Sequence, residues 1–239
     1  DLLSKFETIV DKNCKIYTPY GSTEVLPVSL IDRREILDET WSLSNQGKGT
    51  CVGYPIPGVE IRIIEITDQP ILKLQDVTES GTNIVGEIVV RAEWATRTYI
   101  NRQDLTQLAK IKDGNSFWHR MGDLGRLDEK NRLWFYGRKN QRVITEFETL
   151  YTIPCEAIFN QHPDVKRSAL IGTGRKIKPV IIIETANLKR IKSQAARQKF
   201  TTELLERGAK SSLTQSITKV LFHEEFPVDV RHNAKIFRE

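Results

Sequence analysis

Near residue 140 the chain changes rhythm, and that break limits the folds open to it. Before it, β-branched runs at Val59–Ile66 and Val85–Arg91 read as strands, joined by a polar loop with Thr78-Glu79-Ser80-Gly81. Leu133–Tyr136 and Arg142–Thr145 read as two short strands around Gly137-Arg138-Lys139-Asn140. Ser44–Gly58 is dense in Gly and Pro and reads as loop. After the break, helix signals appear. Thr152 reads as an N-cap, Pro154 fits the first turn and Glu156 suits the positive dipole end, opening a helix to about Gln161. His162-Pro163 stops it. Arg167–Gly172 and Pro179–Glu184 then read as strands, Ala195–Ser212 as a helix with Phe200, Leu204 and Leu205 on its apolar side, and Lys219–His223 as a last strand. The expected class is α/β plus α+β: a β-rich portion over 1–139, then a compact α+β unit over 140–239 with its own hydrophobic core.

Composition adds exclusions. The chain has 239 residues, 39% hydrophobic and 28% charged, enough for one large or two small domains. No apolar run approaches the roughly 18 residues of a membrane helix, so no membrane span is expected. The start, Asp1-Leu2-Leu3-Ser4-Lys5-Phe6-Glu7, lacks a Met, a basic n-region and an apolar h-region, and reads as the middle of a longer protein without a signal peptide. Cys14, Cys51 and Cys155 are odd in number and far apart, which supports neither a zinc site nor a disulfide framework and points to a reducing, cytoplasmic setting. The formal charge of +5 is scattered among 31 acids with no basic stripe, so nucleic acid is not the expected partner.

Three short runs carry chemistry. In Tyr20-Gly21-Ser22-Thr23-Glu24, hydroxyls can donate to phosphate oxygens and the carboxylate can hold Mg2+, although, taken alone, the pentapeptide is more readily explained as a Ser/Thr-capped turn. In Trp118-His119-Arg120-Met121-Gly122-Asp123-Leu124-Gly125, an Asp between glycines in a tight turn can present its carboxylate to vicinal hydroxyls, or simply form an Asx turn entering a strand. Asp229-Val230-Arg231-His232-Asn233-Ala234-Lys235 places a Lys in a polar terminal loop, where solvation alone would account for it.

Taken together, the order and spacing say more. Tyr-Gly-x-Thr-Glu, then Gly-Asp about 100 residues on, Gly-Arg some 15 later, and a Lys about 100 beyond resemble the AMP-forming acyl-activating superfamily. Val52–Gly58, Gly86–Arg91 and Pro154-Cys155-Glu156 add to the likeness, which spans 17–239. Within the superfamily the chain is most similar to the olefin-pathway beta-lactone synthetases and the fatty-acid CoA ligase-like proteins grouped with them. Trp118–Gly125, Leu150–Ala157 and Phe226–Lys235 carry that narrower likeness.

The resemblance implies an enzyme that joins ATP and a fatty or long-chain β-hydroxy acid into an acyl-adenylate, with ATP and Mg2+ required. Residues 1–139 would be the C-terminal portion of the large adenylate-forming domain, and 140–239 the small mobile domain. By position, Tyr20 would stack on adenine, Gly21, Ser22 and Thr23 would line the phosphates, and Glu24 would hold Mg2+. Asp123 would accept the ribose hydroxyls, with Arg138 near the ribose and Asn140 at the hinge. Lys235 would be catalytic, bridging the acyl carboxylate and the α-phosphate, where one ammonium in a poorly hydrated site stabilises developing charge by several kcal/mol.

Some positions depart from the pattern. Asn140 stands for the usual hinge Asp, Met121 for Thr, and Ala92 for Gly. Glu148 falls where CoA-using relatives often place Gly, which leaves CoA open and is compatible with a second step in which the substrate's own β-hydroxyl attacks. The phosphate-cradling Ser/Thr/Gly-rich loop is not in this sequence, so the 239-residue chain is expected to be inactive without the N-terminal portion of the same enzyme. A scaffold that kept the fold but lost the chemistry is the rival reading. Retention of Glu24, Asp123, Arg138 and Lys235 together argues against it.

Overall fold

The computed structural model describes residues 2–6, 8–11, 13–229 and 232–238. Contacts gather the chain into two compact units, residues 1–43 with 49–139, and residues 44–48 with 140–239. Among the described residues no helix is long and apolar enough to cross a membrane.

The first unit opens with α1 (Leu2–Phe6) and the hairpin β1 (Tyr17–Ser22) and β2 (Val25–Asp32). A helical run follows, with α2 (Arg33–Glu35) and α3 (Trp41–Asn45) flanking a π-helical turn at Ile36–Thr40. Asp32 caps it by accepting from the Arg34 amide. Then come β3 (Thr50–Pro55), β4 (Glu60–Ile64), β5 (Gly86–Arg91), α4 (Gln103–Ala109), β6 (Lys110–Asp113), β7 (Ser116–Leu127) and β8 (Leu133–Arg138). They form one antiparallel sheet in the order β1-β2-β3-β8-β7-β5-β4, with β6 also on β7.

β5 shows why this sheet is well packed. Ile88 and Val90 enter one core with Val25, Val28 and Leu133, while Val89 enters another with Ile64, Ile111 and Trp118. A strand covered on both faces needs a continuous apolar run rather than alternation, and Ile88-Val89-Val90 supplies it.

The second unit holds the ribbon β9 (Val143–Ile144) and β10 (Thr149–Leu150), then α5 (Thr152–Asn160), β11 (Val165–Thr173), β12 (Lys178–Thr185), α6 (Gln194–Ala209), β13 (Val220–His223) and a ribbon of β14 (Val228–Asp229) and β15 (His232–Ile236). β12 is central, antiparallel to β11 and parallel to β13, with α6 as the crossover that a parallel pair requires. Ser193 caps α6 by accepting from the Ala196 amide. Phe200 and Leu204, one turn apart, enter a core with Phe159, Leu170, Ile181 and Ile183. Both are fully buried, each contributing about 1.5–3 kcal/mol. Two carboxylates are buried here as well. Glu156 accepts from Arg238 Nη1 at 2.6 Å and the Leu170 amide at 2.8 Å, and Glu184 binds Lys166 and the Phe226 amide.

Several expectations need correction. Ser44–Gly58 is not all loop, because β3 runs through it. Gly53 lies within that strand at positive φ, where a Cβ would stand 2.0 Å from the Leu30 carbonyl. Its glycine serves close strand approach rather than a turn. Ser44–Lys48 packs with the second unit, where Gln161 Nε2 donates to the Asn45 carbonyl at 2.6 Å. Thr152 does not cap α5. It is the first helical residue and is buried, and Tyr151 occupies the cap position without a side-chain bond. The helix over Ala195–Ser212 ends at Ala209, and α4 was unanticipated.

Candidate functional site

In the first unit the site is assembled by strand pairing. Asp123 lies mid-strand on β7 and pairs in register with Arg138, the last residue of β8. The expected tight turn around it is instead a bulged strand, in which Gly122 takes φ of 66° and β7 continues to Leu127. Arg138 Nη1 donates to Asp123 Oδ1 at 2.8 Å, and the Tyr20 hydroxyl, from β1, donates to Oδ2 at 2.7 Å. Asp123 is 2% exposed. Burial raises its carboxyl above the ordinary value despite the pull of Arg138 and Tyr20. Burial, then the Asp123 charge, pushes the Tyr20 phenol well up, so it stays a donor. A carboxylate offers about four lone-pair sites. Two are in use, leaving two for further donors.

Beside this corner, Gly21 and Ser22 end β1 while Thr23 and Glu24 form the turn into β2. Thr23 is exposed. Ser22 Oγ, at the end of β1, is shielded from solvent and lies beside the Glu24 carboxylate, helping to hold it charged. Glu24 is half-buried, its carbonyl accepting from the Thr96 amide at 2.8 Å and its Oε1 from the Tyr99 hydroxyl at 2.8 Å. Burial raises the Glu24 carboxyl, but hydrogen bonds led by Tyr99 outweigh it and hold the group below its usual value.

Nearby on β6 and β7, Lys110 Nζ lies 3.1 Å from His119 Nδ1, and both are buried. Burial lowers Lys110 to about 8, and burial with the Lys110 charge lowers His119 to about 4. His119 is therefore neutral at physiological pH. Its neighbour Arg120 pairs with buried Glu87 at 2.6 Å and donates to the carbonyls of Thr67, Gln69 and Leu108, while Lys139 joins the same Glu87 at 3.1 Å.

Among the described residues no three His, Cys, Asp or Glu converge as a metal cage. Glu24 offers one ionised carboxylate, with the Ser22 hydroxyl beside it. That donor set suits a Mg2+ that keeps waters and takes its remaining ligands from substrate phosphates. Tyr99 and the Lys110–His119 pair were missed from sequence. Tyr99 stands 75 positions from Glu24, with no local signal to link them.

In the second unit, Lys235 is not in a loop but on β15, exposed, because that residue belongs to a β-ribbon paired with β14. It lines a groove of about 730 Å³ together with Asn140, Arg142, Gly172, Ile177 and Arg238. Asn140 lies exposed in a 3-10 turn at Lys139–Gln141. Glu148 is exposed in the β9–β10 turn, where its amide donates to Thr145 Oγ1 at 3.0 Å. Val230 and Arg231 of the Asp229–Lys235 string lie outside the described residues.

No protein-family profile matches the chain. It is 42% identical over 246 residues to an olefin beta-lactone synthetase of Xanthomonas campestris pv. campestris, covering 100% of this chain and 44% of that protein. A Stenotrophomonas maltophilia olefin beta-lactone synthetase is 38% identical with the same coverage. The chain thus spans less than half the length of these relatives. Its fold is similar to that of O-succinylbenzoate coenzyme A synthetase of Bacillus subtilis. The complex with AMP aligns with a TM-score of 0.72 at 20% identity, covering 99% of this chain and 42% of that one. The complex with ATP and magnesium ion gives 0.68 at 19%, covering 98% and 42%. From the spacing of its motifs, its strand-rich fold and these likenesses, the chain belongs to the AMP-forming acyl-activating superfamily and corresponds to the C-terminal part of its members.

Proposed function

We propose that the full-length protein is an ATP-dependent, AMP-forming enzyme that activates a long-chain β-hydroxy acid and closes it to a β-lactone without CoA. The observation that carries the nucleotide part is the Tyr20–Asp123–Arg138 corner. It is a buried, polar-locked carboxylate with acceptor capacity left for the two vicinal hydroxyls of a ribose. Ser22 and Thr23 would contact phosphate oxygens, and Tyr20 would border the adenine. Glu24 would hold the Mg2+, which would supply positive charge beside the phosphates. Residues 1–139 then act as part of the large ATP-binding domain. Residues 140–239 act as the small mobile domain, with Asn140 at the hinge, and deliver Lys235 to the α-phosphate. Unpaired thiols at Cys14, Cys51 and Cys155 suit a cytoplasmic setting. The 239-residue chain alone is not expected to adenylate.

In the first step a carboxylate oxygen attacks the α-phosphorus and pyrophosphate leaves. In the second, the substrate's β-hydroxyl oxygen attacks the acyl carbon, AMP leaves and the hydroxyl proton passes to solvent. The names of the two curated relatives and the exposed Glu148 support this acceptor over CoA. The test supplies the full-length protein with ATP, Mg2+ and a long-chain β-hydroxy acid, with and without CoA. AMP release with lactone as product in the absence of CoA is expected. Strict CoA dependence with an acyl-CoA product would make it an ordinary ligase, and no AMP with any acid would leave the scaffold reading.

A further inference from the structure

A glutamate that is to hold a cation must present one oxygen in a fixed place, and a free Glu side chain does not. Glu24 sits in a turn, half-buried, with its backbone carbonyl pinned by the Thr96 amide. Its carboxylate is pinned separately, by the Tyr99 hydroxyl on Oε1 at 2.8 Å. Tyr99 is itself held. Its amide donates to Thr106 Oγ1 at 3.0 Å, and that hydroxyl donates to the Arg102 carbonyl at 3.0 Å, which ties the loop before α4 to the helix start. The Lys110 ammonium lies 6.0 Å over the Tyr99 ring and 5.0 Å over that of Phe117, closing the other side. A phenol is a single-donor group when it remains protonated. It can occupy one carboxylate oxygen and no more.

We propose that Tyr99 is the positioning residue for the divalent cation of the nucleotide: its hydroxyl, on Oε1 of Glu24, fixes the orientation in which that carboxylate is offered to the metal. This rests on the functional reading above and deepens it at the cation. A hydroxyl merely satisfying itself at the end of a half-buried ring would bond any convenient carbonyl. Here the ring is braced from its own backbone and from Lys110, and its one donor is spent on the only carboxylate of the turn.

The experiment uses the full-length protein carrying Tyr99→Phe, which keeps the ring. Two quantities are read: the Mg2+ concentration giving half-maximal adenylation, and the affinity for Mn2+ with ATP but without acid, by electron paramagnetic resonance. Both should weaken about tenfold, the size expected for one hydrogen bond to a charged group, and the rate lost should return as Mg2+ is raised. In a Glu24→Gln background, Tyr99→Phe should change Mn2+ affinity no further, since the carboxylate it orients is already spoiled as a ligand. Unchanged Mg2+ dependence and Mn2+ affinity would overturn the proposal. So would a rate loss that no Mg2+ concentration recovers, with normal Mn2+ affinity, because that marks a structural role. If the unsubstituted protein neither adenylates nor binds Mn2+ with ATP, the functional reading fails first and this assignment falls with it.

Discussion

The Asp123 corner and Lys235 are opposite kinds of site. Asp123 is buried in the first unit, each oxygen already holding one donor, from Tyr20 or Arg138, with capacity left for a second. Lys235 is exposed on a two-stranded ribbon of the second unit, and no hydrogen bond or ion pair of its ammonium is found among the described residues. A group that recognises a ground-state ligand gains from being fixed before the ligand arrives, since it then loses little entropy on binding. A group that stabilises charge only in the transition state gains from being held back. The contrast therefore predicts that substitutions at the two places separate binding from rate.

The largest effect should come from what makes the first unit rigid. Arg120→Met leaves Glu87, 1% exposed, with Lys139 as its remaining cation, and should cost about 3–5 kcal/mol in urea unfolding. If instead stability falls by less than about 1 kcal/mol, the network three residues from Asp123 is not what holds β7.

Next in size is the separation itself. In the full-length protein, Lys235→Ala should slow acyl-adenylate formation about 100-fold, or about 3 kcal/mol, with ATP affinity nearly unchanged. Lys235→Arg should restore only part, because a planar guanidinium does not replace a point donor. Asp123→Asn should do the reverse, weakening ATP binding about tenfold in calorimetry as one charge-assisted acceptor is lost. Parallel losses in both quantities for both variants would erase the contrast.

A smaller effect concerns pH. His119 is lowered to about 4, first by burial and then by Lys110, so the unfolded chain binds its proton before the folded one does. Stability from this group is present above about 6.5 and lost as pH falls toward about 4, at most about 3 kcal/mol. His119→Gln should flatten that part of the pH dependence of the melting temperature. An unaltered slope would show that acid attacks another group.

The smallest test compares thiols. Burial pushes Cys51 up to about 11 and Cys155 up to about 12, whereas Cys14 is exposed. Iodoacetamide at pH 8 should modify Cys14 alone in the folded chain, read by mass spectrometry. Fast labelling of Cys155 would mean that the second unit opens readily.

Much of this was legible without coordinates, where the signal is local. The β-branched run over Val85–Arg91 announces a strand, and the Phe200/Leu204 spacing announces a helix with one buried stripe. Burial imposes a short period on neighbouring residues, and a period can be read along the chain. Motif order likewise placed the chain in its superfamily, because that order is linear. What the chain order does not contain is which distant groups meet. Tyr20 meets Asp123 across 103 positions, and Tyr99 meets Glu24 across 75. Strand order in the sheet sets the first pairing, and the loop braced against α4 sets the second. Gly53 and Gly122 read as turn residues from sequence yet lie within strands, because a glycine shows only that a side chain is absent. The neighbour that required its absence, such as the Leu30 carbonyl against Gly53, is supplied by another strand. Sequence alone determined the class of fold and the types of residue offered to a nucleotide. Tertiary packing decided which of them are locked in place and which are left free to act, since hydrogen bonds between remote residues depend on register and on the burial that makes them worth forming.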